Sequence, residues 1–273
     1  MSLTPTASIL FASALALVVW WASTGAILWL VRAGDRHARA TVIGATVVGL
    51  TALIGLAYAA RMGGLAGVYL GFGSALAVWG WHELLFLMGR VTGPRRLPCP
   101  PGTRGWRRFV LSTQTVIHHE IALAVTAALA LALTWNQANP TGTLTFLLLF
   151  ALRLSSKLNI FLGVRNPPVA LLPEPIRYLA GYFRRAPMNT LMPVSLIAAL
   201  ALTILLAAVA LNPASALSAR VGASLLAMLS LLGLIEHLFL MMPSPDRALW
   251  GWALDRKAIP RAPVLATTGD PEP

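Results

Sequence analysis

Residues 190–211 read TLMPVSLIAALALTILLAAVAL, with no charged side chain anywhere in the run. A stretch of this length spans the roughly 30 Å hydrocarbon core of a bilayer as a helix. Inside lipid the backbone must satisfy its own polar groups, so a helix is the only open-ended solution for a lone segment. Working outward in both directions, comparable apolar runs fall at 8–31, 40–60, 66–89, 109–134, 141–163 and 220–242, each bounded by charge, Pro or Gly. Only 11% of the chain is charged, against roughly 25% in a soluble domain. The fold class expected is therefore all-α, a polytopic membrane protein of seven transmembrane helices. Residues 1–243 form one domain and 244–273 a tail. The first run has no basic stretch before it and is long enough to span, so it reads as a retained helix rather than a signal peptide.

The formal net charge is +12, and its distribution explains it. Arg32, Arg36 and Arg39 follow the first run. Arg90, Arg95, Arg96, Arg104, Arg107 and Arg108 follow the third, and Arg165, Arg177, Arg184 and Arg185 the fifth. Arg247, Arg256, Lys257 and Arg261 occupy the tail. The intervening loops hold only Arg61 and Arg220. The positive-inside rule then places the N-terminus outside and the C-terminus in the cytoplasm. These loops read as topology signals and contacts to anionic lipid; without a basic helix or a reader domain they exclude nucleic acid as a partner. In the tail, Ala248 to Leu254, with Trp250 and Trp252, reads as an interfacial segment, and Thr267 to Pro273 as disordered. Trp29, Trp106 and Trp135 suit the membrane boundaries. Gly63, Gly67 and Gly71 repeat at a spacing that lets helices pack closely. Cys99 is the only cysteine, in a Pro-rich connector, and excludes a disulfide framework.

Against this apolar background stand His82-Glu83, His118-His119-Glu120 and Glu236-His237, which hold four of the five histidines. Arg153 and Lys157 lie inside the fifth run, one helical turn apart and so on one face. Counting about 1.5 Å per residue from the nearest loop arginine or proline puts His82, His118, Glu236 and Lys157 at a common depth, roughly 10–15 Å from the basic surface. Ionisable groups inside a membrane are costly and mark functional sites. Four readings stay open: a satisfied structural cluster, a tetrapyrrole site with a histidine as axial ligand and Gly233 making room for the ring, a non-haem metal centre, or a proton path. The Glu-x-x-His spacing of carboxylate di-iron bundles is missing. Ser155 and Ser156 precede Lys157, but Ser156 diverges from it by about 100° on a helix, which argues against a Ser-Lys dyad. No P-loop or dinucleotide-binding turn is found, and no catalytic residue is assigned.

Several stretches resemble the PuhE family, the type 2 photosynthetic complex assembly proteins of purple phototrophic bacteria. They are Val19-Trp20-Trp21-Ala22-Ser23-Thr24-Gly25, Trp79-Gly80-Trp81-His82-Glu83, Phe86-Leu87-Met88-Gly89, Thr92-Gly93-Pro94-Arg95-Arg96, Arg153-Leu154-Ser155-Ser156-Lys157-Leu158-Asn159, and Tyr182-Phe183-Arg184-Arg185-Ala186-Pro187-Met188-Asn189. The resemblance implies a multi-pass protein of the bacterial inner membrane that supports assembly of the reaction centre and core antenna and affects bacteriochlorophyll production. Its implied partners are membrane lipids and reaction-centre, antenna or pigment-synthesis proteins. On that footing His82, His118, His119 and His237 are candidate ligands of a bacteriochlorophyll or haem, Glu83, Glu120 and Glu236 their counter-charges, and Arg153 and Lys157 contacts to carboxylates or a propionate. The rivals are a metal-dependent oxidoreductase acting on a pigment precursor and a ligand-free interaction scaffold.

The orientation is testable with alkaline phosphatase fusions. Fusions after Met62, Gln137 or Pro213 should be active; fusions after Gly102, Leu172 or the C-terminus should be inactive.

Overall fold

The computed structural model describes residues 4–32, 37–242, Leu249 and Gly251. Among them are seven long helices: α1 (Pro5–Arg32), α2 (Ala38–Arg61), α3 (Gly64–Leu87), α4 (Gly105–Thr134), α5 (Thr141–Leu162), α6 (Leu191–Leu211) and α7 (Leu217–Phe239). Each is long and apolar enough to cross a membrane. Their bounds lie within about one turn of those expected. The largest difference is α4, which starts at Gly105 rather than 109. Its Arg108 is absorbed by the fold: the guanidinium donates to the carbonyls of Phe161 (3.1 Å) and Tyr182 and lies over the Phe161 ring at 4.2 Å. A satisfied arginine no longer marks a helix boundary.

Helices α3, α5 and α7 touch one another and form the centre of the bundle. Around them, α1 packs on α7 and α3, α2 on α3, α4 packs on α2 and α5, and α6 on α7. Two of the central helices, α3 and α7, together with α4 carry the paired His and Glu residues, and α5 carries Arg153 and Lys157. The outer rows, such as Ile54 on α2 and Ile197 and Leu205 on α6, are apolar and exposed. In lipid these rows need no protein partner, and tight contact between backbones and small residues holds the bundle together instead. Ala12 and Ala16 of α1 are fully buried with Val221 and Leu225 of α7. A second cluster joins Leu56, Val78, Leu123 and Phe146 across α2, α3, α4 and α5.

The expected glycine stripe acts between helices at one position. A Cβ on Gly142 would sit 2.8 Å from the Gly71 carbonyl oxygen, so α3 and α5 cross there backbone to backbone. Gly67 abuts the Met62 carbonyl just before its own helix, and Gly63 faces open space. On α2, Gly49 leaves room for the Trp81 ring, which a Cβ would overlap.

The two arginine-rich connectors, 88–104 and 163–190, fold against each other over one end of the bundle. Tyr182 is the joint: its hydroxyl receives Arg95 Nε (2.7 Å) and donates to the Leu97 carbonyl (3.1 Å). Phe86, Ile176 and Leu179 are buried beneath it. The first connector also dips inward. The His119 N–H of α4 donates to the Thr92 carbonyl (3.0 Å), and the Arg95 N–H donates to the Gln114 carbonyl (3.1 Å). Gly93 rests on the α4 backbone so closely that a Cβ would lie 2.1 Å from the Gln114 oxygen. Residues 92 and 93, which fall in the basic connector after the third run, are thus buried against α4. The same connector holds Cys99, partly buried beside Gly181.

Apart from Leu249 and Gly251, the interfacial and disordered parts of the tail lie outside the described residues. Leu249, which is described, packs on Leu28 and Trp20 of α1, and its carbonyl accepts from Trp21 Nε1 (3.1 Å).

Gly142→Leu should force α3 and α5 apart and destabilise the bundle by about 1–3 kcal/mol or more. Thermal unfolding of the purified protein checks this, with Gly63→Leu as the silent control.

Candidate functional site

The site lies at the ends of the central helices nearest the arginine-rich connectors. The last turns of α3 bring His82, Glu83 and Phe86. Glu83 meets Arg153 of α5 (Oε2 to Nη2, 3.4 Å). One turn further along α5, Lys157 meets Glu120 of α4 at 2.6 Å. The shared face of Arg153 and Lys157 thus serves two different helices. Glu236 of α7 is only partly buried and lies close enough to act electrostatically on Arg153. A carboxylate removed from water needs a cation or hydrogen-bond donors, and these pairs supply them.

The histidines have separate environments. His119 is fully buried, its ring stacked on Phe86 with centroids 4.4 Å apart. Lys157 lies over the same Phe86 ring. His119 Nε2 stands 3.9 Å from Glu83 Oε1, beyond hydrogen-bonding distance, and neither ring nitrogen has a hydrogen-bond partner. His82 Nε2 bonds Thr126 Oγ1 of α4 (2.9 Å), between the Trp81 and Phe146 rings. His237 is engaged on both sides. Its Nδ1 donates to the Gly233 carbonyl (2.7 Å), which can only accept, and its Nε2 faces Ser155 Oγ of α5 (3.0 Å). His118 is exposed on the outer side of α4 and stays out of the cluster. Adjacent helical positions diverge by about 100°, so His118 and His119 cannot face one centre.

Four residues that the sequence did not single out for this role complete the layer. Ser155 donates to Ser195 of α6 (2.9 Å), Asn159 Nδ2 also reaches the Ser195 hydroxyl (2.9 Å), and Thr126 holds His82. A hydroxyl or amide recurring among Leu and Ala at the same depth was the available signal. Ser155 is paired with His237 and Ser195, not with Lys157.

His237 and Gly233 do not fit an axially ligated macrocycle. The space expected beside Gly233 is filled: a Cβ there would lie 2.5 Å from Leu152 Cδ1. The His237 nitrogens are both engaged, and the His119 ring is covered by Phe86. Among the described residues no three His, Cys, Asp or Glu side chains are placed to hold a metal ion. What the arrangement does is cross-link helices: α3 to α4 and α5, α4 to α5, and α5 to α6 and α7.

A family described as "Protein of unknown function (DUF3623)" matches residues 6–261. A protein of Rhodobacter capsulatus, described as an uncharacterized 30.4 kDa protein in the puhA 5' region, is 42% identical over 247 residues, which cover 87% of this chain and 88% of that one. No solved structure matches the chain.

Lys157→Met strands the Glu120 carboxylate and should cost about 3–5 kcal/mol of stability. The double variant Lys157→Met/Glu120→Gln should recover most of that loss. Thermal unfolding of the two proteins and of Glu120→Gln alone completes the cycle.

Proposed function

The chain belongs to the DUF3623 family, and from that membership and its interlocked polar layer we propose that it is an assembly factor for the photosynthetic apparatus, working in the bacterial inner membrane. It supports the joining of reaction-centre and core antenna subunits by binding membrane partners along its surface. In this reading Glu83, Glu120, Glu236, Arg153, Lys157, His82, His119 and His237 hold the bundle in register, and bacteriochlorophyll or haem is not ligated by their imidazoles.

The photosynthetic part of the proposal is supported by the Rhodobacter capsulatus relative, whose description places it in the puhA 5' region, and by the resemblance of six stretches to the PuhE family. The scaffold part rests on one observation, the closure of His237: both ring nitrogens meet protein partners from the bundle itself. An axial ligand needs a free ring nitrogen and an open face. A metal-dependent oxidoreductase would need a converging ligand set, and the described residues supply none.

The test uses the tagged full chain in a phototrophic host. Reaction-centre or antenna subunits should co-purify with it. Deleting the gene should lower the near-infrared absorbance of the assembled complex several-fold while the subunit messages persist. His237→Gln, in molecules that still fold, should leave co-purification intact and the spectrum free of a tetrapyrrole band. Unchanged complex levels in the deletion strain reject the assembly role; a stoichiometric Soret band lost in His237→Gln rejects the scaffold reading.

A further inference from the structure

Phe146, Arg153 and Ile160 follow one another at two-turn intervals and share a face of α5. Phe146 and Ile160 are 0% and 8% exposed, yet 41% of the Arg153 side chain is accessible. The outward row of α5 is a different one: Leu144, Leu154, Leu158 and Leu162, all exposed. The access at Arg153 is therefore an opening between helices on the inner side of α5, not its outer flank.

The floor of this opening is polar. Glu83 takes one guanidinium nitrogen at 3.4 Å. Arg153 Nε and Glu83 Oε1 are buried without hydrogen-bond partners, and Glu236 acts on the guanidinium from α7. Arginine carries five N–H donors in a fixed fork, and only the contact to Glu83 uses them. Aliphatic neighbours accept none, and unmet donors in hydrocarbon are costly. Nearby on the same helix, Leu149 and Leu152 continue into the apolar core shared with α7. A few polar groups at the foot of apolar walls is the usual composition of a small-molecule site.

The charges narrow the occupant. Three carboxylates, Glu83, Glu236 and Glu120, already act on Arg153, and Lys157 is taken by Glu120. No excess positive charge remains to hold a free inorganic anion. We propose that the opening at Arg153 binds a lipid-soluble molecule through a neutral carbonyl oxygen, with the guanidinium as donor and the apolar body between the helices. This site is independent of the assembly role and uses no histidine.

The intact protein in lipid nanodiscs is titrated with cis-parinaric acid, its methyl ester and the matching polyene hydrocarbon, read by energy transfer from tryptophan. The ester should bind saturably and the hydrocarbon should not; binding of the acid without the ester would mark an anion site and overturn carbonyl recognition. Arg153→Gln should weaken binding about tenfold or more, and Arg153→Lys should recover part of it. Where Arg153→Gln fails to fold, a photoactivatable fatty acid methyl ester on the wild-type protein should label α5 near Leu149 to Lys157 and be competed by the parinaric methyl ester. Absent saturable binding, equal binding of the hydrocarbon, an unchanged affinity in folded Arg153→Gln, or labelling confined to the outer leucine row overturns the proposal.

Discussion

Charge pairing between neighbouring helices, Glu120 with Lys157 and Glu83 with Arg153, is the constraint on which the rest of the bundle depends. Sliding or rotating α5 by one residue would move both cations away from their carboxylates. In lipid, apolar contacts discriminate weakly among such registers, because the tails offer the same contacts as a neighbouring helix. Stranded charges discriminate strongly. The buried network therefore selects one arrangement from many that pack comparably, the use of buried polarity best attested in helical assemblies.

Two other devices work with the pairs. At the opposite end of the bundle small residues bring backbones together, and the Gly71–Gly142 crossing fixes where α3 and α5 meet. At the arginine-rich end the two connectors close over the layer, and Thr92 and Gly93 reach inward onto α4. Accepting from the His119 N–H ties this connector to the residue that stacks on Phe86. The connector and the polar layer thus form one mechanical unit. Arg153 differs from its neighbours in that unit, since it is the most accessible of the four paired side chains.

Much of this was legible in the chain. The seven spans were readable because apolar length and bounding charge are one-dimensional properties, and the common depth followed from helical rise. Lys157 and Glu120 could be placed at one level but not joined, since pairing needs the order in which helices touch. The role of Gly233 was misread for a similar reason: its lack of a side chain was visible, but not that Leu152 fills the space. The inward dip of residues 92–93 was hidden because their arginine-rich surroundings look solvated. The Ser155–Ser195 link was hidden because a lone serine among leucines has no direction until its neighbour is known.

By itself the sequence determined that this chain crosses a membrane, how often, and at what depth it carries ionisable groups, because hydropathy and helical rise act locally. Only the tertiary structure decided which carboxylate meets which cation, that His237 is closed while Arg153 is open, and that His118 faces away. Those outcomes depend on helix neighbours and rotation about each axis, set by contacts between residues as far apart in the chain as Glu83 and Arg153.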